Sequence, residues 1–557
     1  MDGAAFELAA RVADTEAELQ PQEATEFGWR EFDGRWRDYS PDGEAARHQA
    51  LIGLHGELKA LPAADDQWQQ LAARSTDTYL WRELWRYECD EGVRDLNAIW
   101  SPPQIMRQTL DIMTRSDLQG WEDIVTRLAT LGEPLEGYVQ TLEIGRSKGL
   151  VASTRQVEAM AREARTVSAD GSPMEDFAAE LAASGMGDQD LSDRLDAAIV
   201  SAKGAFGNLV TYLEGTYLAD AAAEDGVGAE RYAGSAAYFL AGAVDVAETY
   251  EWGWSQVEEL RVEMEKVGAE ILPNATVTEV TELLQIDPDR GVASRDEFVE
   301  LMLERQHTAL ADLDGPHFDV PAQIREVEVK LSPPGGSLGA HYVSPSEDFA
   351  RPGSVWYSLD PDQTFFPLYD EVSTAYHEGF PGHHLQSGIQ VVLADKLSKL
   401  HRTFIWYSGY GEGWALYAER LMRELGYLEK PDYVFGMLAG EMLRACRVVI
   451  DIGLHTGRQI PRGQPFHPGE DWSYQIAVEM LESYATQKNA YAQSEVTRYL
   501  GWPGQAISYK VGQRRILDLR EKMKKRDGPD FDLKEFHAKV LNSGPVGLDH
   551  LSELVLG

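Results

Sequence analysis

Three of the chain's 13 histidines are crowded into the segment HEGFPGHH, which begins at His377. In many zinc proteases, a helix with the pattern HExxH places two histidines on one face as metal ligands and leaves the glutamate beside them as a general base. The first half of that pattern is present as His377 and Glu378, but the next histidines, His383 and His384, come two and three residues late. The residue types predict metal-assisted hydrolysis, with His377 as a ligand and Glu378 as the base.

The spacing of these histidines requires a break in the helix. Six or seven residues of regular helix rise about 9 to 10.5 Å, which is too far for one ion held at about 2 Å from each nitrogen. Pro381 lacks an N–H group and its ring would clash with the carbonyl group of residue 377, and Gly382 permits unusual backbone angles. We therefore expect one helix that kinks or widens at Pro381 and brings His383 to the second ligand position, with His384 as the alternative.

A third ligand is predicted in the segment GEGWALYAERL, about 29 residues after His383. Its apolar residues, among them Trp414 and Tyr417, define one helix face, and Glu412 and Glu419 are seven residues apart and lie on one stripe. Two histidines and one glutamate leave an open position for water, which is typical of catalytic zinc. Glu412 is the predicted ligand, and Glu419 is then expected to support a ligand by hydrogen bonding.

The segments HEGFPGHHLQ, GEGWALYAERL and PGQAISYKVG, in this order, resemble a bacterial family called domain of unknown function 885. The resemblance runs through most of the chain. That family is similar in fold to helical gluzincin zinc carboxypeptidases of the thermostable bacterial type. The resemblance implies a zincin-like metallopeptidase fold, a Zn²⁺ cofactor and His383 as the second ligand.

Four further residues are candidates for contact with a substrate. By analogy with the family, Tyr509 is expected to donate a hydrogen bond to the negatively charged oxygen of the transition state, although a buried core tyrosine is an equal alternative. His455, at a predicted helix end, is a candidate hydrogen-bond donor to the substrate. Lys510 and Arg514 could hold a substrate carboxylate, but neighbouring basic residues on a helix are more often solvated.

These residues favour a zinc metallopeptidase, either a carboxypeptidase or an oligopeptidase, with a peptide or small amide as substrate. A zinc hydrolase of a non-peptide amide or ester is the first alternative. A non-catalytic helical protein that binds metal or a partner is the second. The glutamate beside the first histidine argues against that second alternative, because a purely structural metal site has no use for a base.

The composition limits the partners and the compartment. The net charge of -41 disfavours nucleic acid and anionic membrane surfaces. The sequence shows no signal-peptide pattern and no stretch of 18 apolar residues. With only Cys89 and Cys446, a disulfide framework is not available. We therefore expect a cytoplasmic protein without a nucleic-acid or membrane partner.

The elements around these motifs are predicted to be mainly α-helical. Residues 1–311 read as a helical region that forms one wall of a cleft, and residues 367–557 as the helical catalytic region, within one continuous domain. The segment 312–366 between them contains two strand-like runs, 324–331 and 355–359, which predict a small antiparallel sheet beside the active-site cleft.

One helix in the first region is expected to begin at a capping box formed by Ser255 and Glu258. The apolar residues that follow recur at spacings of three and four residues, which indicates a helix with one buried face.

Overall fold

A computed structural model describes residues 3–332, 339–360 and 362–557. Helices dominate these residues, which confirms the predicted mainly α fold. The described chain divides into two compact units, one formed by residues 226–499 and 503–557 and the other by residues 3–225 together with 500–502. Within the described residues, no helix has both the length and the apolar character needed to cross a membrane.

The N-terminal unit is a bundle of helices around an apolar core. Its longest helix packs against four other α-helices, and leucines of that helix, including Leu195 and Leu209, are buried in the core. The helices are α1 (Ala4–Leu19), α2 (Pro21–Glu26), α3 (Pro41–Ala60), α4 (Gln67–Glu88), α5 (Pro102–Ile112), α6 (Leu118–Thr130), α7 (Gly132–Ser147), α8 (Thr154–Ser168), α9 (Asp176–Ser184) and α10 (Gln189–Gly215).

The C-terminal unit carries all the predicted site residues. Its helices are α11 (Ala229–Leu240), α12 (Val246–Ile271), α13 (Val277–Ile286), α14 (Arg295–Leu313), α15 (Glu371–Glu378), α16 (His383–Val392), α17 (Lys399–Arg402), α18 (Ser408–Glu424), α19 (Pro431–Thr456), α20 (Tyr474–Ser483), α21 (Asn489–Gly501), α22 (Ser508–Asp527), α23 (Leu533–Leu541) and α24 (Leu548–Leu556). The last two residues of α21 group with the N-terminal unit.

Glycines bring α18 and α22 close together. A Cβ atom on Gly512 would lie 1.9 Å from the carbonyl oxygen of Gly409 and 2.8 Å from the Cα atom of Gly413. No larger residue fits there without moving the backbone. The contact fixes α18, which carries Glu412, against α22, which carries Tyr509.

The helix start predicted at Ser255 is wrong. Helix α12 begins nine residues earlier, at Val246, where the Asp245 side chain accepts hydrogen bonds from two backbone N–H groups of the first turn. The Ser255 hydroxyl instead donates to the carbonyl oxygen of Trp252 within the helix. The predicted apolar stripe is buried as expected: Val257, Leu260, Met264 and Val267.

The small sheet contains both predicted runs, as β2 (Val327–Leu331) and β4 (Gly353–Tyr357). They pair in parallel, whereas an antiparallel sheet was expected. The reason is an unpredicted strand, β3 (Ala340–Val343), which reverses the chain and pairs antiparallel with β4 on its other edge. A separate antiparallel pair joins β1 (Gly291–Val292) and β5 (Phe366–Pro367).

Candidate metal centre

The HEGFPGHH segment folds as two helices, not as the single widened helix that was expected. Helix α15 ends at Glu378 and α16 begins at His383. The chain between them turns back over the end of α15, so closely that a Cβ atom on Gly382 would lie 1.9 Å from the carbonyl oxygen of His377. The close approach explains why glycine stands there. The position of the break near Pro381 agrees with the prediction.

Side chains from two other helices hold this break in place. The Gln306 amide of α14 donates to the carbonyl oxygen of Ala375 (2.7 Å) and accepts from the N–H group of Phe380 (2.6 Å). The Trp414 indole of α18 donates to the carbonyl oxygen of Pro381 (2.9 Å), and the peptide bond preceding Pro381 is cis. No local pattern marks Gln306, because it lies about 70 residues upstream of the segment that it holds.

The break brings three ligand atoms together. His377, His383 and Glu412 each offer one such atom, and all three atoms lie within 4.8 Å of one another. Oε2 of Glu412 lies 3.4 Å from Nε2 of His377 and 3.7 Å from Nε2 of His383. A tetrahedral zinc ion with bonds of about 2.0–2.1 Å separates its ligand atoms by roughly 3.3 Å. The donor types and their spacing therefore fit one zinc ion.

Glu419 lies behind this group and orients one of its members. Its Oε1 atom is 2.8 Å from Nδ1 of His377, and its other oxygen accepts a hydrogen bond from the Ser373 hydroxyl. A carboxylate acceptor keeps the proton on Nδ1 and turns Nε2 toward Glu412, as carboxylate partners of metal-binding histidines do. Of the two glutamates considered from the sequence, Glu412 therefore faces the histidines and Glu419 supports one of them.

His384 points away from the group. Its Nε2 donates to the carbonyl oxygen of Ile324 (2.8 Å), so Nδ1 is the acceptor for the Tyr342 hydroxyl (3.0 Å). Burial lowers the pKa of His384 to about 4, despite that bond to Ile324. Both ring nitrogens are occupied, which leaves His383 as the second histidine of the group.

The two histidines are buried and Glu412 is partly buried, and the charges of the three residues depend on one another. Burial by itself would lower the pKa of His377, but hydrogen bonds to Glu412 and Glu419 raise it to about 10. Burial opposes ionisation of Glu412 as well, yet His377 and His383 hold its pKa well below the usual range. The pKa of Glu378, beside them, is raised by burial. The carboxylates thus create a strong preference for positive charge between the ring nitrogens.

Tyr509 lies near this group, at the start of α22. The Arg447 guanidinium stands over its ring, 4.9 Å from the ring centroid. Burial raises the pKa of Tyr509, and the negative charge of Glu412 adds to that effect, while Arg447 opposes it. The hydroxyl therefore stays protonated at neutral pH and remains a hydrogen-bond donor.

Lys510 and Arg514, the two predicted ligands of a substrate carboxylate, each form an ion pair with a glutamate of the chain. Lys510 is buried and lies 3.1 Å from a carboxylate oxygen of Glu441. Arg514 forms two hydrogen bonds to Glu248, at 2.8 and 2.5 Å. Neither belongs to the group of three ligand atoms. A role in substrate binding remains a prediction for both.

His455 ends α19, as predicted, and is buried. Its Nε2 lies 3.0 Å from the carbonyl oxygen of Tyr499 and 3.5 Å from a carboxylate oxygen of Asp451. The other oxygen of Asp451 accepts a hydrogen bond from the backbone N–H group of Gly504 (3.0 Å). These contacts hold the loop that precedes α22, while substrate binding by His455 itself remains a prediction.

The protein is thus a helical protein with a two-histidine, one-glutamate candidate metal centre. The chain belongs to the family described as bacterial protein of unknown function (DUF885), whose model matches residues 21–555. No match exists among curated proteins.

Two solved structures share the fold. One, from Colwellia psychrerythraea, is described as a "putative lipoprotein"; it has a TM-score of 0.84 and 23% identity, and the match covers 99% of this chain and 98% of that one. The other, from Shewanella oneidensis, is described as a "putative lipoprotein of unknown function", with a TM-score of 0.77, 17% identity and 100% of both chains covered. At these identities the likeness shows the fold alone.

Proposed function

We propose that the protein is a zinc-dependent metallopeptidase. The observation that carries this proposal is the convergence of two imidazole Nε2 atoms on one oxygen of Glu412, with Glu378 next to the first histidine. This set matches the ligands of catalytic zinc, and it adds a carboxylate that a purely structural site would not need.

The residues around the centre have separate tasks in this reaction. Zinc held by His377, His383 and Glu412 would supply a Lewis acid. Glu378 takes a proton from the attacking water and passes it to the leaving amine. The Tyr509 hydroxyl donates a hydrogen bond to the oxygen on which negative charge develops.

Digestion of a peptide library, followed by mass spectrometry, tests the proposal directly. The zinc-loaded protein is expected to shorten peptides, and the cleavage pattern separates removal of C-terminal residues from internal cleavage. A parallel assay uses non-peptide amides and esters as substrates. Hydrolysis of these compounds without cleavage of peptides would support the alternative of a zinc hydrolase that acts on non-peptide substrates. Absence of hydrolysis in all three classes of substrate would contradict an enzymatic function.

Glu378→Gln is the matching variant, because it removes the base and preserves the shape of the side chain. Turnover should fall by about 10²- to 10⁴-fold with zinc content unchanged. Glu424→Gln makes the same chemical change on the surface of α18, where Glu424 pairs with Arg520, and should leave turnover intact. Nearly full activity in Glu378→Gln would show that another group is the base.

A cytoplasmic location is also proposed on the basis of composition. Both structural neighbours are called lipoproteins, which favours the alternative of an exported protein. Fractionation of cells, followed by detection of the protein in cytoplasmic and envelope fractions, distinguishes the two.

A further inference from the structure

One tryptophan beside the metal centre is turned toward solvent. Trp406 is 45% exposed, whereas its neighbours Ile405 and Tyr407 are buried. Its ring lies next to that of the predicted ligand His383, with the ring centroids 6.4 Å apart and the ring planes inclined by 49°. This distance is typical of two aromatic rings in contact. A large apolar surface therefore adjoins one of the predicted ligands and remains accessible from outside.

A glycine of α18 makes room for this indole. A Cβ atom on Gly411 would lie 2.5 Å from Cη2 of Trp406 and 2.9 Å from its Cζ2 atom. Both atoms belong to the six-membered ring, which therefore packs directly on the backbone of the helix. Gly411 immediately precedes the predicted ligand Glu412. The indole thus contacts the segments that supply two of the three ligands.

The more exposed ligands of the metal centre are the two on this side. The side chains of Glu412 and His383 keep 17% and 11% of their surface exposed, compared with 6% for His377. Trp406 contacts the ring of His383 and the residue before Glu412. A molecule that reaches these two ligands from solvent therefore passes next to the indole.

Two other exposed tryptophans lack this setting. Trp81 and Trp100 are 41% and 42% exposed, and both belong to the N-terminal unit, which contains none of the predicted ligands. Single exposed apolar side chains are common on protein surfaces and need no function. Trp406 differs from them because its ring occupies the space left by a glycine and adjoins a metal ligand.

We infer that Trp406 is a specificity-determining residue, which selects substrates with an aromatic side chain next to the amide bond that is hydrolysed. This inference rests on the proposed peptidase function and specifies its substrate. An indole binds another aromatic ring by offset or edge-to-face stacking. Because the indole adjoins His383, a substrate ring stacked on it brings the neighbouring amide bond to the metal centre.

The binding of three hydroxamates to the zinc-loaded protein tests this inference without any hydrolysis. Hydroxamates chelate zinc through their two oxygens, so the attached group reports on the surroundings of the centre. In isothermal titration calorimetry, phenylacetohydroxamate should bind about 10- to 100-fold more tightly than acetohydroxamate. It should bind about 2- to 10-fold more tightly than cyclohexylacetohydroxamate, which has a ring of similar bulk but no π face.

Three variants connect this preference with the indole. Trp406→Leu keeps apolar bulk next to Gly411 and removes the aromatic face, so the preference for the phenyl over the cyclohexyl compound should be lost. Trp406→Phe should keep part of the preference. Trp81→Leu makes the same change at a tryptophan of similar exposure and should keep all of it. The affinities are compared at equal zinc content, measured by mass spectrometry of the elements.

The outcomes for the inference and for the proposed function are distinct. A preference for the phenyl compound that is lost in Trp406→Leu supports the inference even if no peptide is hydrolysed. Equal binding of the phenyl and cyclohexyl compounds, or a preference that survives in Trp406→Leu, overturns it even if peptides are cleaved. Failure of all three compounds to bind contradicts the metal centre and the inference together. If Trp406→Leu does not fold, an undiminished preference in Trp406→Phe is the result that overturns the inference.

Discussion

Two buried charged clusters, one in each unit, differ in how their charges are satisfied. In the N-terminal unit, Glu16 is completely buried. It accepts two hydrogen bonds from Arg47 (2.6 and 2.8 Å), one from the Tyr79 hydroxyl (2.8 Å) and one from Gln20 (3.0 Å). The cation of this cluster is Arg47, a side chain of the same unit, which also pairs with Glu83 (2.8 Å).

The cluster in the C-terminal unit is built in the opposite way. Glu412 faces two imidazole nitrogens, and both of these are good metal ligands when neutral. Here the partner of the carboxylate is neutral unless it takes up a proton. Burial of a carboxylate alone therefore does not indicate a metal site. A metal site is indicated when the neighbours of a largely buried carboxylate offer nitrogen lone pairs and do not include a permanently charged cation.

The largest expected effect separates the two neighbouring histidines. His383→Ala removes one of three ligands, and zinc affinity should fall roughly 1000-fold or more. His384→Ala should retain most of the affinity, because both ring nitrogens of His384 bond to groups outside the cluster. Zinc titration with a competing chelator measures both values. The reverse order of affinities would assign the ligand role to His384.

Removing Arg47, the cation of the N-terminal cluster, tests whether Glu16 depends on a positive charge from the chain itself. Arg47→Met leaves Glu16 buried without its ion pair, which should lower the free energy of unfolding of its unit by about 3–5 kcal/mol. Chemical denaturation measures this loss. Zinc affinity should not change, since the cluster contains no predicted ligand. A variant that unfolds like the parent would show that Tyr79 and Gln20 are sufficient.

Gly382→Ala alters the metal centre without touching a ligand. The added Cβ atom would meet the carbonyl oxygen of His377, so the turn between α15 and α16 must shift. Overpacking of this kind costs about 1–3 kcal/mol, and zinc affinity should fall about 10- to 100-fold. Gly204→Ala, at a helical position of α10 with no atom within 4 Å of the new Cβ, is the control. Equal zinc affinity in Gly382→Ala and Gly204→Ala would show that the turn between α15 and α16 can shift without moving the ligands.

The smallest expected loss of zinc affinity concerns Glu419, which supports the ligand His377 by a hydrogen bond. Glu419→Gln keeps the size of the side chain but weakens the bond to Nδ1 of His377. Zinc affinity should fall about tenfold, at the lower end of the 10- to 100-fold range found for such partners. Competition titration measures it, and Glu424→Gln serves as the surface control. A fall as large as that in His383→Ala would mean that Glu419 is itself a ligand.

Much of the site can be predicted from local patterns in the sequence. Pro381 and Gly382 mark the break because their backbone restrictions are local properties, and the seven-residue spacing of Glu412 and Glu419 follows from helical geometry. The choice between His383 and His384 is not local, since it depends on Tyr342, a residue of β3. The sequence pattern had not indicated that strand.

Other features depend on contacts between distant segments. Gln306 fixes the end of α15 from a separate helix, and nothing in its own neighbourhood marks it. The parallel pairing of β2 and β4 follows from the reversal at β3, which the two predicted strands alone could not reveal.

Metal analysis of two proteins tests the central claim most directly. The parent and Glu412→Ala are purified without chelator, equilibrated with zinc, separated from free metal and measured by mass spectrometry of the elements. The account predicts about one zinc ion per chain in the parent and close to none in Glu412→Ala, with both proteins folded by circular dichroism. Equal zinc in the two proteins, or none in the parent, would contradict a zinc centre formed by His377, His383 and Glu412.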